Sequence, residues 1–404
     1  MKTVLLIQKL CAEIDLLLTN QLDSILHHIR FQELEATWRG LDFLVQHNRE
    51  ETIPAVMIKC ISLSLAEFKN DLEDYEKSRL FTLIYSQEFD QAGGRPFGLL
   101  LIDQLIQEKD TKILTEIAKI SSLSFCFTLL GGAPNILGFK DYEELRFYRF
   151  HKLYSRIKLN SEWLTLRKNP EARFLGISTG RILIRPYYDE RHRGEMVYDE
   201  SRLESCWLSH HYLYAAVIMD AFKRHSWFHD LGQPLKIQLE RNQFLDQVTL
   251  INEKQIALDE ALILSSKGFI SASDEAWFNQ IKFHFHPTLY RARSIMLSTD
   301  NFTHSIGESL CISRLAHTAK IILRDKLSLL NIRNCEQFLQ NWIQNYCAKE
   351  NPNSLTQKFK FPLEEASFQI HKIENISDSS YQCTLDLKLN SFPHKSKSIL
   401  LLKI

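Results

Sequence analysis

Glycine and proline are scarce in this chain, which has 13 glycines and 10 prolines among its 404 residues. Together they make up about 6% of the residues, against a typical ~12% in globular proteins. The chain is therefore poor in tight turns and in glycine-rich loops, which depend on these two residue types. This scarcity argues against collagen-like chains, low-complexity chains and phosphate-binding glycine cradles.

The charge balance narrows the class of protein further. Lys and Arg number 49, Asp and Glu also number 49, and the formal net charge is zero. A generic polyanion binder needs a basic excess, so this balance argues against one. A charged fraction of 24% and an apolar fraction of 45% are ordinary for a globular protein. The length predicts about two or three domains, which we place at 1–135, 136–305 and 306–404.

Cysteine usage and hydropathy predict the compartment. The eight cysteines are scattered, with no CxxC pair, as is typical of reduced, mostly buried thiols in a cytosolic protein. We find no window of 18 uncharged apolar residues, and the apolar run that follows Met1 is too short for a signal sequence. We therefore expect a cytoplasmic protein without direct membrane insertion.

Hydrophobic periodicity predicts both helices and strands along the chain. Spacings of three and four predict helices over 4–47, 110–130, 141–168, 205–222, 310–330 and 336–348. Short apolar or alternating runs predict strands at 57–62, 97–102, 174–177, 182–184, 368–373, 381–389 and 399–404. The turn at Gly93–Pro96 separates two of these elements.

The C-terminal region carries the clearest strand pattern. Apolar residues alternate with polar ones at Tyr381, Cys383, Leu385, Leu387 and Leu389, which predicts a strand with one buried face. The last strand, with Leu400 and Leu402, is apolar on both faces, so both must be covered. We predict that strands 367–373, 381–389 and 398–404 form an inter-subunit sheet. The alternative is that they close the sheet of this chain alone.

No motif for catalysis, metal binding or cofactor binding emerges. The histidine pairs His27-His28, His210-His211 and His284-x-His286 lack a nearby cysteine pair or an HExxH frame, so we interpret them as structural. The Gly93–Pro96 turn has no Walker lysine, and no GxSxG nucleophile elbow occurs. We expect no metal, no cofactor and no nucleophilic catalysis. A cytosolic enzyme of unidentified class stays open as an alternative.

One arginine cluster raises a second alternative, a nucleic-acid-binding module. Arginines and tyrosines could clamp and stack nucleic acid at Arg181, Arg185, Tyr187, Tyr188, Arg191 and Arg193. Acidic residues lie among them, at Asp189, Glu190, Glu195, Asp199 and Glu200. A solvated loop of mixed charge, or a protein interface, fits this composition better, and we expect no nucleic-acid partner.

The run Trp38-Arg39-Gly40 is unusual within a helix pattern. We expect Trp38 to pack in a core, Arg39 to extend its charge to solvent, and Gly40 to allow close helix contact. On this interpretation Trp38→Ala costs about 3–5 kcal/mol.

These residues also carry a resemblance to a known family. The opening segments Ala12–Asp15, Gln21–His28 and Phe31–Leu41, which end in Trp38-Arg39-Gly40-Leu41, resemble the large subunit of the type VI secretion contractile sheath (the TssC/VipB, ImpC or EvpB family). Further similar segments follow in the family's order, at Gly93–Gly98, Trp163–Arg167, Arg173–Gly176, Arg181–Tyr187, Cys206-Trp207, Gly268–Ile270, Ser313–His317 and Trp342-Ile343. The resemblance spans nearly the whole chain.

The resemblance implies a structural role without catalysis. It implies an α/β (α+β) fold with mixed sheets and packed helices, of the contractile-tail-sheath-like kind. It also implies a chain that pairs with a small sheath subunit (TssB/VipA type), contacts neighbouring sheath subunits, and surrounds inner tube hexamers above a baseplate. It makes Trp38, Arg39, Gly40, Arg314, His317 and Arg324 structural motif positions. The family's Ala-His-Tyr has Thr318 in place of tyrosine. Members usually carry an N-terminal extension, which in some is offered to a recycling unfoldase, and the resemblance does not extend to that partner.

Overall fold

The computed structural model describes most of the chain, and the elements below lie within that part. It covers residues 2–49, 56–148, 160–185, 206–228, 252–275, 280–284, 305–326, 332–348, 361–372, 380–390 and 395–403, and the single positions 157, 188, 198, 200 and 231.

Helices open the chain and recur throughout it. They are α1 (Lys2–Leu26), α2 (Ile29–Arg49), α3 (Leu65–Asp71), α4 (Arg79–Phe81), α5 (Thr111–Ser124), α6 (Tyr142–Phe147), α7 (Ser161–Leu166), α8 (His210–His225), α9 (Leu258–Ser266), α10 (Ile306–Lys326) and α11 (Ile332–Gln344). A π-helix (Thr82–Asp90) continues α4. None of the helices in the described residues combines the length and apolar character needed to cross a membrane.

Three sheets hold the strands. They are β1 (Leu99–Ile106), β2 (Phe127–Gly132), β3 (Leu175–Thr179), β4 (Arg181–Arg185), β5 (Cys206–Ser209), β6 (Phe269–Glu275), β7 (Gln280–His284), β8 (Leu363–Lys372), β9 (Ser380–Leu389) and β10 (Lys395–Lys403). The central sheet has the order β1-β2-β3-β6-β7, with the first four strands parallel and β7 antiparallel. β4 and β5 form an antiparallel pair, and the antiparallel C-terminal sheet has the order β10-β9-β8. The predicted α+β class with mixed sheets is confirmed.

The central sheet separates two hydrophobic cores, and β2 contributes to both. Phe127 and Leu129 belong to a core that includes residues of α8, α10 and the C-terminal strands. Leu130 belongs to the opposite core, which includes residues of α5, α7 and α9. Alternate residues of a strand point to opposite faces, so a strand covered on both sides is apolar without alternation.

This double burial explains an error in the predicted helix over 110–130. Helix α5 ends at Ser124, because Phe125 adopts a left-handed conformation with φ of 51°. The chain then enters β2, whose residues are all buried. A continuous apolar run of this length fits a buried strand as well as a helix, and periodicity alone does not separate them.

The predicted strand at 57–62 is also wrong. Residues 56–64 form no strand in the described part of the chain, and Met57 and Ile61 are exposed. The segment is fixed at its start by Asn48, whose side-chain amide donates to the Val56 carbonyl and accepts from the Val56 amide. The backbone of Val56 thus pairs with a side-chain amide.

The C-terminal strands form where the alternation predicts them. Cys383, Leu385, Leu387 and Leu389 are buried in the core of this chain, which confirms the predicted buried face of β9. The side chains of Tyr381, Leu400 and Leu402 lie outside the described part of the structure.

At Gly40, helix α2 packs closely against strand β5 and helix α8. A Cβ atom at this position would lie 2.7 Å from Cδ1 of Leu208 in β5 and 2.9 Å from the ring of Tyr212 in α8. Both neighbours are buried, so neither has free space to move into. The absence of a side chain at position 40 therefore sets how α2 packs.

We predict that Gly40→Val lowers the free energy of unfolding by about 1–3 kcal/mol, because the added methyl groups overpack this contact. The matched control is Gly98→Val, since a Cβ at the exposed Gly98 meets nothing within 4 Å. Urea unfolding followed by circular dichroism measures both. Equal stability of the two variants would contradict the close packing of α2.

Candidate assembly site

Helix α1 exposes its apolar residues almost completely. None of its described residues is buried, although the helix is 25 residues long. The side chains that are about half or more exposed include ten apolar ones: Val4, Leu5, Leu6, Ile7, Leu10, Ile14, Leu16, Leu17, Leu18 and Ile25. At 100° per residue, six of these form one stripe about 100° wide. We call Ile7, Leu10, Ile14, Leu17, Leu18 and Ile25 the α1 stripe.

Helix α2 has one covered face and one exposed face. Phe43 and Leu44 are buried in the core on the covered face. Leu34 and Trp38 are exposed, and the Trp38 side chain is 62% exposed. The predicted burial of Trp38 in a core is therefore wrong for this chain by itself. The cause is the direction of the residue, which lies two positions before Gly40 and so points away from the docked face.

A buried ionic network joins both N-terminal helices to β4. The guanidinium of Arg185 donates two hydrogen bonds to the Glu200 carboxylate, at 2.6 and 3.0 Å. Its Nε atom lies 2.7 Å from Oε1 of Glu35 in α2. Oε1 of Glu35 also accepts from Nε of Arg39 at 2.8 Å, and His27 at the end of α1 contacts Glu200 at 3.0 Å. Arg39 thus has a fixed ion-pair partner rather than only a solvated charge.

The electrostatics of the network favour the ionised forms. Burial opposes ionisation of Glu200, but hydrogen bonds from Arg185 and the Tyr188 amide outweigh it and lower the pKa of the carboxyl. Burial opposes the charge of Arg185 as well, but the carboxylates of Glu200 and Glu35 outweigh it and raise the pKa of Arg185. Glu35 and Glu200 were missed from the sequence. The polar run that contains Glu200 was predicted to be an exposed loop, and the carboxylate is fully buried.

The second arginine of the predicted cluster is also neutralised within the chain. Arg181 donates to both carboxylate oxygens of Glu253, at 2.6 and 2.7 Å, and its guanidinium stacks on Tyr142 at 3.4 Å. Arg191, Arg193 and Tyr187 lie outside the described residues. Arg181 and Arg185, which the nucleic-acid alternative required, face carboxylates of their own chain.

Helix α10 uses its polar residues as anchors. His317 Nε2 donates to the Ser124 carbonyl at 2.9 Å, and so holds the end of α5. Lys320 contacts Asp90 Oδ1 at 2.5 Å, at the end of the π-helix. Arg324 donates to the carbonyls of Phe89 and Gly94, at 3.3 and 3.2 Å. The structure therefore places His317 and Arg324 in one row with Lys320, which follows the family-like segment Ser313–His317.

Arg314 lies on the same helix, one turn before His317, and contacts aromatic rings. Its guanidinium lies 4.6 Å from the ring centroid of Trp227 and 5.1 Å from that of Phe222. Burial lowers the pKa of Arg314, and the electron-rich ring faces compensate part of the lost solvation. Arg314 thus packs on aromatic rings and His317 holds the end of α5, whereas Lys320 and Arg324 both hold the end of the π-helix.

The structure brings one Ser, one His and one Asp together. Ser209 Oγ lies 2.8 Å from His211 Nδ1, and Asp103 Oδ1 lies 3.8 Å from His211 Nε2. The His211 side chain is fully buried, and burial lowers its pKa to about 3. Full burial and a low pKa both disfavour His211 as a general base near neutral pH. The cluster is part of the packing between β1, β5 and α8.

His27 and His210 also have partners within the described part of the chain, whereas the side chains of His284 and His286 lie outside it. His27 contacts Glu200, as described above. His210 Nε2 lies 3.0 Å from the side-chain oxygen of Asn252, and burial lowers the pKa of His210 to about 4. Among the described residues, no three His, Cys, Asp or Glu side chains come together as a metal site would require.

We predict that Arg185→Met lowers the free energy of unfolding by about 3–5 kcal/mol, because it leaves the buried Glu200 carboxylate without its arginine and Glu35 with Arg39 alone. The triple variant that adds Glu35→Gln and Glu200→Gln removes both carboxylate charges and should recover much of this loss. Urea unfolding at pH 7 measures both variants. A triple variant as unstable as the single one would contradict the charge argument.

We predict that stability falls as the pH is lowered from about 6.5 towards 4. His210, His211 and His317 have pKa values lowered to about 4, 3 and 4, so they are neutral when folded and protonated when unfolded across this window. Each contributes a slope of about 1.4 kcal/mol per pH unit. His317→Gln keeps a donor for the Ser124 carbonyl but does not titrate. It should reduce the slope by about 1.4 kcal/mol per pH unit, the contribution of one histidine. Urea unfolding between about pH 6.5 and pH 4 measures this slope for the wild type and for the variant.

Comparisons with known proteins find similarity to tail sheath proteins. Residues 8–258 match the family model of the EvpB/VC_A0108 tail sheath N-terminal domain, and residues 299–397 match that of the EvpB/VC_A0108 tail sheath gpW/gp25-like domain. The chain is 26% identical over 399 residues to the type VI secretion system sheath protein TssC1 of Pseudomonas aeruginosa, across 91% of this chain and 79% of that protein. The sheath tail protein Lin1278 of Listeria innocua is a solved structure with 10% identity and a TM-score of 0.34, covering 74% of this chain and 61% of that one.

The two family matches together take in α1, α2, the ionic network, the α10 anchors and most of the C-terminal sheet. Those matches cover well over half of the chain. The chain belongs to the VipB/EvpB family of tail sheath proteins, and it is a structural protein of the type VI secretion sheath, of the large-subunit kind.

Proposed function

We propose that this chain pairs with the small sheath subunit in the cytoplasm, and that the pairs stack as rings around an inner tube. Contraction of these rings from a baseplate then drives the tube through a target membrane. The chain carries no catalytic step of its own in this proposal. The observation that carries it is the exposure of the α1 stripe.

A helix such as α1 needs a cover to be stable in water. Helices in water gain most of their stability from packing of an apolar face, and α1 has no such packing within the described part of this chain. Burial of one Leu or Ile side chain contributes about 1.5–3 kcal/mol. The six residues of the α1 stripe therefore offer a large free energy to a partner, and soluble monomers rarely expose apolar surfaces of this size.

The geometry of the stripe indicates what covers it. Apolar side chains at spacings of three, four and seven are anchors for a helix or for a groove between helices. In the described part of the chain, contacts hold α1 near its end, where Asp23 accepts from the Tyr198 hydroxyl and His27 contacts Glu200. The rest of the helix stays accessible for a partner, which we propose is an apolar helical surface of the small subunit.

The C-terminal sheet supplies a second proposed contact, between neighbouring subunits. In the described part of the chain, β10 pairs with β9 alone, so its other edge can accept a strand. Pairing of β10 with β10 of a second copy would be two-fold symmetric and would close the assembly as a dimer. A sheath grows without closing in this way. We therefore propose that a different segment of a neighbouring sheath subunit adds to β10.

We predict that Leu17→Asp abolishes co-purification with the small sheath subunit, whereas Leu16→Asp preserves it. Both side chains are 62% exposed, and they differ in direction because Leu16 lies on the side of α1 opposite the stripe. Neither residue is buried in this chain, so neither variant should change its fold. Equal binding of the two variants would contradict the α1 stripe as the contact.

The same co-expression tests the function as a whole. The wild-type pair should form tubular assemblies in negative-stain electron microscopy and should sediment as large particles. A pair that stays a small, discrete complex under all assembly conditions would overturn the proposed polymerisation. A chain that never binds the small subunit would overturn the pairing itself.

A further inference from the structure

The two outer edges of the C-terminal sheet differ in their hydrogen bonding. At the β8 edge, the side-chain amide of Gln340 in α11 pairs with the strand backbone. Its Oε1 atom accepts from the Phe368 amide at 2.8 Å, and its Nε2 atom donates to the Ala366 carbonyl at 3.2 Å. A primary amide offers a donor and an acceptor side by side, as a peptide group does. Gln340 thus occupies the place of a residue in a neighbouring strand.

Neighbouring groups extend this closure along β8. Gln344 Nε2 donates to the same Ala366 carbonyl at 3.1 Å. Nearer the start of the strand, the Ala348 amide donates to the Leu363 carbonyl at 2.9 Å, and the Leu363 amide donates to the Tyr346 carbonyl at 3.1 Å. Four backbone groups on the outer edge of β8 thus have partners in their own chain: both groups of Leu363, the Ala366 carbonyl and the Phe368 amide.

The alternation of an antiparallel ladder fixes which groups point outwards at the other edge. Phe368 directs its amide away from β9, so Phe368 and Leu385 form a non-hydrogen-bonded pair. Leu385 therefore directs its backbone groups towards its β10 partner, Ser398. One residue further on, the pattern reverses. The backbone groups of Lys397, Ile399 and Leu401 point away from β9, where an added strand would meet them.

We propose that Gln340, supported by Gln344, closes the β8 edge and so restricts growth of this sheet to β10. This inference rests on the proposed strand addition between sheath subunits, and it adds the direction of that addition and the residue that determines it. An open β8 edge would give each subunit a second place for strand pairing. Gln340 is a positioning residue in this sense, because it decides where a neighbour can bind without contacting that neighbour.

The first test compares Gln340→Leu/Gln344→Leu with the control Gln337→Leu, at an exposed position on the same helix. Hydrogen exchange is measured on the co-expressed complex before assembly. Loss of the clamp should make the Phe368 amide exchange about tenfold faster or more, and should produce extra oligomers in sedimentation. An unchanged Phe368 amide, or oligomers no larger than those of the control, would overturn the closure. This test does not require that sheaths form.

The second test locates the open edge by proline substitution. Proline removes a backbone donor and is tolerated at an edge strand only where that N–H faces outwards. Ile399→Pro should therefore keep the folded complex and stop its polymerisation, whereas Ser398→Pro should disrupt the ladder between β9 and β10. Normal sheaths from Ile399→Pro would overturn growth at β10. If the wild-type complex forms no sheath, the proposed function fails, and the exchange of Phe368 still decides the closure.

Discussion

The charge of Arg185 determines how the N-terminal helices sit on this molecule. A buried guanidinium is costly unless anions surround it, and its two carboxylates come from α2 and from the polar run after β4. His27, at the end of α1, adds a contact to Glu200. The helices are thus positioned by charge neutralisation and by the close contact at Gly40. Among the residues that the structure describes, α1 buries no apolar side chain, so its apolar stripe stays available for another protein.

Helix α10 also places charged and polar side chains in the interior, but it binds other segments with them. It is mostly buried, yet it carries His317, Lys320 and Arg324 in one row. Two of these side chains satisfy backbone carbonyls at the ends of other elements, which would otherwise lack partners, and Lys320 pairs with Asp90. The row therefore connects α10 with α5, with the π-helix and with the Gly93-Gly94 turn. Segments on both sides of the central sheet are held by one helix.

The sequence predicted those features that depend on local pattern. The spacing of three and four residues predicted α10, and the alternation of apolar and polar residues predicted β9. Strand β2 was missed because burial on both faces removes the alternation that marks a strand. The ionic network was missed for another reason: His27 and Glu200 lie 173 residues apart, and no local pattern pairs them. Trp38 was recognised as unusual but was assigned to the core, because a bulky aromatic in a helix fits a core and an interface equally well.

The two proposed contacts place different demands on the chain. The α1 stripe binds through side-chain shape, so its selectivity is contained in the residues that it exposes. Strand addition binds through backbone groups, which are the same in every sequence and therefore accept many partners. A subunit that assembles by strand addition must limit it by closing edges rather than by choosing side chains. The closure at Gln340 meets this demand with one amide that imitates a peptide group. Because α11 pairs with backbone groups of β8, the edge of β10 is the one that stays open to a neighbouring subunit.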